Sequence, residues 1–268
     1  MGILRKLLLG IAGLGVGMSL ATASASAADL IEAPEYIPPV IGGWYLRGDI
    51  GMSAQQLHGG LDNVEFGTTD NFGFLDSGKF SAAPTFQVGI GYQFSDWLRV
   101  DGTAQYRGKA SFSALDRYSC PTTNGTCDND PTTWDGTNDY TANKSEWLFL
   151  ANVYWDMGTW SGITPYVGAG IGASRNTISD FRDVNVPAAG VAYGGTHSEW
   201  QFAWALHAGL GIDITDRVTL DLGYSFLHLG DAQSGDLIAF DGTNNVNNPM
   251  KFNELTSHDF TFGLRYAF

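Results

Sequence analysis

The stretch TFQVGIGYQF, residues 85–94, decides the fold class because its side chains alternate in polarity along their whole length. One face of an extended chain would carry Phe86, Val88, Ile90, Tyr92 and Phe94, and the other would carry Thr85, Gln87, Gly89, Gly91 and Gln93. A period of two is the side-chain period of a β-strand, whereas a helix repeats every 3.6 residues. The stretch therefore predicts a strand with one apolar face and one polar face.

The same alternation recurs along the rest of the chain and predicts eight strands in all. These are Trp44–Ala54, Thr85–Phe94, Leu98–Phe112, Glu146–Asp156, Thr164–Ser174, Ser198–Ile214, Val218–Leu229 and His258–Phe268. Residues 89–101 align without gaps on residues 209–221, so one hairpin pattern occurs twice. Its glycines fall on the polar face, as expected where a narrow interior lacks room for large side chains.

Two folds fit such strands, a soluble sandwich and a transmembrane barrel, and the lengths of the connections distinguish them. Short turns at 95–97, 157–162 and 215–217 alternate strictly with long connections at 53–84, 113–145, 175–197 and 230–257. Outer-membrane barrels have short periplasmic turns and longer extracellular loops. We therefore predict an all-β fold, an eight-stranded antiparallel transmembrane β-barrel with short periplasmic turns and four long extracellular loops.

The aromatic residues agree with this orientation because they cluster near both ends of the predicted strands. The periplasmic set comprises Trp44, Phe94, Trp97, Trp155, Trp160, Tyr266 and Phe268, and the extracellular set comprises Trp147, Trp200, Tyr224 and Phe226. Such rings favour the two membrane–water interfaces. The alternative is that they are core aromatics of a soluble protein.

The N-terminal region predicts export. Residues 1–27 combine two cations, an apolar run and a small-residue cleavage pattern, which is typical of a cleaved signal peptide. Residues 28–43 form a Pro-rich periplasmic leader, and the barrel occupies 44–268. With 28 acidic and 14 basic residues, the chain carries a net charge of −14, which argues against nucleic acid as a partner. The predicted location is the outer membrane of a Gram-negative cell.

Charged residues on the polar face are the candidate site of the lumen. They are Arg47, Asp49, Arg99, Asp101, Arg107, Glu146, Asp213, Asp221, Asp259 and Arg265. Because an isolated buried charge is very costly, mixed signs in a confined interior predict a plug of ion pairs. The alternative is a narrow conduit for ions, although an eight-stranded interior is only about wide enough for side chains to fill.

The sequence predicts no catalytic, metal or cofactor site. Ser225 and His228 are close in sequence, but three residues apart on a strand they point to opposite faces. The acidic stretch 127–136 lacks the EF-hand pattern and leaves divalent-ion binding open. Cys120 and Cys127 follow the signal peptide into an oxidising compartment, which predicts a disulfide that closes a short surface loop.

Three stretches carry a resemblance to a known family. GWYLRGDIG at 43–51, PYVGAGIG at 165–172 and the alternating C-terminal strand resemble the small outer-membrane barrels of alphaproteobacteria. That family comprises porin-like immunogenic surface proteins related to the transmembrane domain of OmpA. The resemblance implies that the alternating C-terminal residues are the signal read by the barrel-assembly machinery; they are Phe260, Phe262, Leu264, Tyr266 and Phe268.

The resemblance also implies a function. Members contribute to outer-membrane integrity and contact the host or environment through their loops, and some are credited with haem binding or porin activity. In this chain, His58 and His197 would be the loop histidines available to a haem. We therefore predict a non-enzymatic barrel for envelope integrity and surface interaction, with a narrow porin-like channel as the alternative. The predicted partners are outer-membrane lipid, lipopolysaccharide, the assembly machinery and a host or environmental ligand at the loops.

Overall fold

The computed structural model describes residues 43–64, 66, 71–119, 130, 132–244 and 247–268. The signal peptide predicted over 1–27, the leader up to residue 42, and both cysteines lie outside the described residues. A membrane-spanning helix is absent from the described part of the chain.

The described residues form eleven β-strands. They are β1 (Gly43–Asp62), β2 (Asn71–Phe80), β3 (Ala83–Gln93), β4 (Leu98–Ser119), β5 (Asn138–Asp156), β6 (Ile163–Asn185), β7 (Gly190–Gly194), β8 (His197–Thr215), β9 (Val218–Gln233), β10 (Leu237–Ala239) and β11 (Lys251–Ala267).

Eight of these strands close into a ring. The order around it is β1, β3, β4, β5, β6, β8, β9 and β11, and β11 pairs with β1 to complete the circle. Every pairing is antiparallel. The predicted eight-stranded antiparallel barrel is therefore confirmed.

The connections separate onto two rims as predicted. The turns after β3, β5 and β8 are short, and the first and last strands begin and end beside them, where Tyr45 pairs with Ala267. On the other rim, the strands extend much farther than predicted: β4 continues to Ser119 and β6 to Asn185. The three additional strands lie there too, β2 on β4, β7 on β6 and β10 on β7. Large parts of the four long connections are thus regular sheet.

The barrel has two halves with opposite polarity. We call the part from the short turns to the level of Arg107 and Glu146, just beyond the outward row Tyr106, Trp147 and Trp200, the membrane half, and the part beyond that level the extracellular half. In the membrane half the outward side chains are apolar and exposed; Val88, for example, is 65% exposed. Lipid would cover such a surface. This face therefore marks the segments that span the membrane.

The extracellular half has apolar side chains inside and polar ones outside. On β4, Phe112 and Ala114 are buried, whereas Lys109 and Ser111 are exposed. A register shift between Arg107 and Ala110 makes this change possible, because the extra residue moves the inward face from odd to even positions. Water on the outside of the sheet then requires an apolar interior, as in a soluble protein.

Candidate functional site

The first group of charges in the lumen is centred on Arg47 of β1. Its Nε and Nη2 atoms donate to the two carboxylate oxygens of Asp49, each at 2.9 Å. Its Nη1 atom donates to Asp101 Oδ2 and to the hydroxyl of Tyr154, each at 3.2 Å. Arg47 and Asp49 are two residues apart on one strand and so share its inward face. All four side chains are buried, and the guanidinium is held from three directions.

A second group contains Arg99 of β4. Its Nε atom lies 3.0 Å from both carboxylate oxygens of Asp156. Its guanidinium lies 4.3 Å from the ring centre of Tyr154 and 4.5 Å from that of Tyr166, within the range of cation–π attraction. Sequence reasoning missed Asp156. The signal was available, because Asp156 follows Glu146 by ten residues on the same strand and therefore falls on the same face.

A third group lies nearest the extracellular half. Arg107 forms ion pairs with both Glu146 and Asp259, and Lys144 pairs with Glu146 as well. Ser257 accepts a hydrogen bond from Arg107 Nη2 at 2.6 Å and donates one to Asp259 Oδ1 at 2.6 Å. These side chains are almost completely buried. Arg107 thus joins two carboxylates, and Lys144 contacts one of them, across β4, β5 and β11.

The predicted lumen residues separate into nine that form ion pairs and one that does not. The nine are Arg47, Asp49, Arg99, Asp101, Arg107, Glu146, Asp221, Asp259 and Arg265, with Arg265 Nε 2.6 Å from Asp221 Oδ2. The prediction that Asp213 belongs to these ion pairs is wrong. It lies close to the turn between β8 and β9, is exposed, and accepts a hydrogen bond from Thr219 at 3.0 Å. Lys144 was missed because it lay in a predicted loop.

Inward glycines make room for the large side chains of the lumen. A Cβ atom added to Gly91 would lie 2.3 Å from the ring of Tyr45, and one added to Gly209 would lie 2.5 Å from the hydroxyl of Tyr166. Both glycines belong to the repeated hairpin, in which Gly91 corresponds to Gly211 and Gly89 to Gly209. Large aromatic side chains therefore occupy the space that the missing side chains of these glycines leave open.

A hydrogen-bonded chain of Ser225, His207 and Asn152 lies in the same interior. His207 Nδ1 is 2.7 Å from Ser225 Oγ, and its Nε2 is 3.1 Å from Asn152 Oδ1. This order resembles a hydrolase triad. The cavity beside it measures only about 20 Å³, room for about one water molecule. His228, considered earlier with Ser225, instead stacks on Trp204, with 5.8 Å between the ring centres.

Beside the third group and beyond it, apolar side chains fill the barrel. The buried cluster includes Leu148 and Leu227 in the membrane half and continues through Ile178, Phe181 and Phe252 in the extracellular half. Phe252 packs against Phe112 with ring centres 5.0 Å apart and against Phe181 at 6.3 Å. Two kinds of side chains therefore fill the lumen: ion pairs toward the short turns and apolar side chains toward the extracellular end.

A larger cavity, about 250 Å³, lies at the mouth of the extracellular half. Its lining combines aromatic, amide, carboxylate and apolar side chains: Asn63, Phe66, Phe72, Tyr118, Asn138, Tyr140, Asp183, Asn185, Leu237 and Met250. We call it the mouth cavity. Strands β4, β5 and β6 supply the polar side, and Phe66 and Phe72 face them from the connection after β1 and from β2. Because much of this region was predicted as loop, the sequence analysis did not identify it.

The polar side of the mouth cavity is held by Asp116. This carboxylate is fully buried and accepts hydrogen bonds from Asn138 N at 2.8 Å and from the Tyr140 hydroxyl at 2.5 Å. Burial raises the pKa of Tyr140 well above its ordinary value, and the nearby carboxylates of Asp183 and Asp116 raise it further. The phenol therefore stays protonated and donates its hydrogen bond to Asp116.

Metal and haem sites have little support in the described residues. No group of three or more His, Cys, Asp and Glu side chains there could hold a metal ion. His58 and His197 lie on strands, where His58 bonds to Thr256 at 3.0 Å and His197 to Gln233 at 3.2 Å. The predicted disulfide and the acidic stretch 127–129 lie outside the described part of the chain. The absence of a cofactor stays a prediction.

The C-terminal residues that the resemblance assigns to assembly lie on the lipid-facing side of β11. Phe260, Phe262, Leu264, Tyr266 and Phe268 are all exposed there. Their alternation with Asp259 and Arg265, which face the lumen, is the pattern of a transmembrane strand. The assembly role itself stays a prediction.

Comparisons with known proteins agree with this geometry. The family model described as "Outer membrane protein beta-barrel domain" matches residues 16–268. An uncharacterized protein of Brucella suis is 32% identical over 275 residues, which cover 94% of this chain and 95% of that protein. The outer membrane protein PagN of Salmonella typhimurium is 28% identical over 123 residues, 45% of this chain and 48% of that protein.

Two solved structures are also similar. Neisserial surface protein A is 15% identical with a TM-score of 0.44, covering 84% of this chain and 97% of that chain. OprG from Pseudomonas aeruginosa is 13% identical with a TM-score of 0.44, covering 85% of this chain and 96% of that chain. The family match spans nearly the whole chain and the full ring of strands. This chain therefore belongs to the outer-membrane β-barrel family and is located in the outer membrane.

Proposed function

We propose that this protein is a closed, non-enzymatic membrane anchor that holds its extracellular half at the cell surface for interaction and contributes to envelope integrity. The observation that carries the proposal is the double filling of the lumen. Three groups of buried ion pairs occupy the membrane half, and an apolar cluster follows them toward the outside.

The filling argues against a conduit on energetic grounds. An ion that enters must displace groups such as the Arg107 cluster, and separating a buried ion pair leaves an uncompensated charge. It must then cross the layer of Leu229, Ile178 and Phe252, each fully buried and without charge. Transfer of an ion into such surroundings is very costly. The narrow channel therefore requires a rearrangement of both layers.

The same geometry argues for presentation at the surface. The apolar core of the extracellular half fixes the positions of β2, β7, β10 and the strand ends around the mouth cavity. A surface with a packed core beneath it has a fixed shape, which lowers the entropy lost when a partner binds. The extracellular half is thus suited to recognition in a way that mobile loops are not.

Conductance of the refolded mature protein in a planar bilayer tests the closed anchor. We expect no steady openings from protein that is shown to be folded and inserted. The double variant Arg47→Ala/Arg99→Ala removes two of the buried cations, and Lys109→Ala removes an exposed cation as the matched control. Steady openings of the wild type whose size changes in the double variant but not in the control would establish the porin-like channel instead.

Surface interaction and envelope integrity are tested in cells. Cells that lack the chain should become more sensitive to detergent and attach less well to a host or environmental surface, and the wild-type chain should restore both properties. Unchanged detergent sensitivity and attachment in the deletion strain would contradict the proposal.

A further inference from the structure

We propose that the mouth cavity binds an organic cation, an alkylammonium or guanidinium group presented by a small molecule or a basic side chain. This inference rests on the proposed function, since it assigns a ligand class to the extracellular half. Three observations carry it: a buried carboxylate without a cationic partner, a lining rich in aromatic rings, and a size that suits an organic group.

The charge of Asp116 is the first observation. Its hydrogen-bond donors are Asn138 and the Tyr140 hydroxyl, which are all neutral. Among the residues that the structure describes, no ammonium or guanidinium lies within ion-pairing distance of Asp116. Hydrogen bonds spread a carboxylate charge without neutralising it, and a buried charge is normally paired. Asp183 adds a second carboxylate to the wall of the cavity.

The contrast with the lumen makes this observation informative. Every predicted carboxylate that faces the lumen has an arginine nitrogen within 3.2 Å of one of its oxygen atoms. The chain thus pairs its buried acids wherever the barrel is closed. Asp116 instead has neutral partners, Asn138 and Tyr140, and these two residues line the mouth cavity in front of it. A cation in the cavity would therefore lie near the charge of Asp116 without contacting its carboxylate.

The aromatic lining is the second observation. Phe66 and Phe72 stack with ring centres 4.2 Å apart, the ring centre of Phe66 lies 6.4 Å from that of Tyr140, and Tyr118 also lines the cavity. Aromatic faces attract organic cations, and the attraction strengthens where water is excluded. The amide of Asn185 donates to the Tyr118 hydroxyl at 2.6 Å and to Asn138 Oδ1 at 2.9 Å, which fixes this wall. Rings and carboxylates together suit an ammonium or guanidinium group.

The size of the cavity is the third observation. At about 250 Å³ it is far larger than a single metal ion needs, and ligand pockets of about 300 to 1,000 Å³ hold drug-sized molecules. A lysine- or arginine-sized group fits this volume. An anionic ligand is disfavoured by the two carboxylates and by the net charge of −14.

Calorimetric titration of the refolded mature chain in zwitterionic nanodiscs tests the site. The probe is Nα-acetyl-lysine methylamide, and its neutral counterpart is the same compound acetylated at Nε. We expect the charged probe to bind at least tenfold more tightly than the neutral one, and to bind more weakly as salt is raised. Arginine methylamide, blocked in the same way, should compete with it.

Two variants and a control locate the binding. Asp183→Asn removes a wall carboxylate and should weaken binding of the charged probe about tenfold, while Phe72→Leu removes a ring and should weaken it several-fold. Asp241→Asn removes an exposed carboxylate that is held by Thr243 and does not line the cavity, so it should leave the affinity unchanged. Each variant is first shown to fold by comparing its electrophoretic migration before and after heating.

Three results would overturn the site: no binding of the charged probe, equal binding of both probes, or equal losses in Asp183→Asn and Asp241→Asn. The site would also be overturned if calcium displaced the probe and bound as tightly as the organic cations. The outcome is separate from that of the conductance measurement. A chain that conducts and still binds the charged probe loses the closed-anchor function but keeps the site, whereas a silent chain that binds no probe keeps the function and loses the site.

Discussion

The membrane half and the extracellular half of this barrel are built from the same strands, yet their side chains are arranged in opposite ways. On β4, Arg99 and Arg107 point inward in the membrane half, whereas Phe112 and Ala114 point inward beyond it. The strand period of two is the same in both. What differs is the surroundings of the outer face, lipid in one half and water in the other. The polarity of a barrel interior is therefore decided from outside.

This difference changes how each half is held together. Ion pairs in the membrane half contribute little net stability, because the cost of removing two charges from water offsets their attraction. Breaking one pair is nevertheless strongly destabilising, since the remaining charge stays buried. In the extracellular half, burial of apolar surface stabilises directly, by roughly 25 cal/mol per Å². Variants of the two halves should therefore fail for different reasons.

The largest effect is expected from Arg107→Met in the membrane half. It leaves both Asp259 and Glu146 without their arginine. We expect a loss of about 3 to 5 kcal/mol of unfolding free energy. Urea titration of the protein in lipid vesicles measures it. Adding Asp259→Leu to the same chain removes the stranded charge and should recover much of the loss; no recovery would contradict the ion-pair account.

Phe252→Ala tests the apolar core of the extracellular half. Phe252 is fully buried against Phe80, Phe112 and Phe181, so its removal creates a cavity and should cost about 3 to 5 kcal/mol. The damage should stay local, since the ring of ion pairs below is untouched. Limited proteolysis should then cleave the extracellular half while the membrane half stays resistant. Equal protection of both halves in the variant would contradict the separation of the two.

The two outer faces can be compared with one substitution in two places. Val88→Arg places a charge on the lipid face and should cost about 2 to 4 kcal/mol if the position is near the bilayer midplane. Ser111→Arg places the same side chain on the exposed outer face of the extracellular half, where we expect a change within about 0.5 kcal/mol. Folding yield into vesicles measures both, and equal yields would contradict the assigned boundary.

The sequence predicts the ring well because period-two alternation with apolar residues outside is unusual enough to identify each strand. It predicts the lumen charges for the same reason: Arg47 and Asp49, or Asp259 and Arg265, are an even number of residues apart and must share a face. Asp156 follows from the same rule once the inward face of β5 is fixed by Glu146. What the sequence does not fix is which arginine each carboxylate contacts, since that depends on register across strands.

The strand ends beyond the membrane were not predicted, because a polar interior was assumed throughout. Ser111, Phe112, Ser113 and Ala114 still alternate, but with the apolar side inward, and the register shift after Arg107 changes the parity. A segment that breaks the expected polarity therefore looks like a loop. The mouth cavity, formed where these strand ends meet, could not be predicted for the same reason.

The smallest effect separates a lumen carboxylate from one at the rim. Asp221→Asn removes the partner of Arg265, whose Nε lies 2.6 Å away, and should cost about 1.5 to 3 kcal/mol as a charged hydrogen bond is lost. Asp213→Asn changes an exposed residue eight positions earlier and should stay within about 0.5 kcal/mol. Urea titration of both variants under the same conditions measures the difference. The two aspartates lie an even number of residues apart across a short turn, so equal losses would mean that Asp213 belongs to the lumen after all, and that the ion pairs of the membrane half extend down to the periplasmic rim.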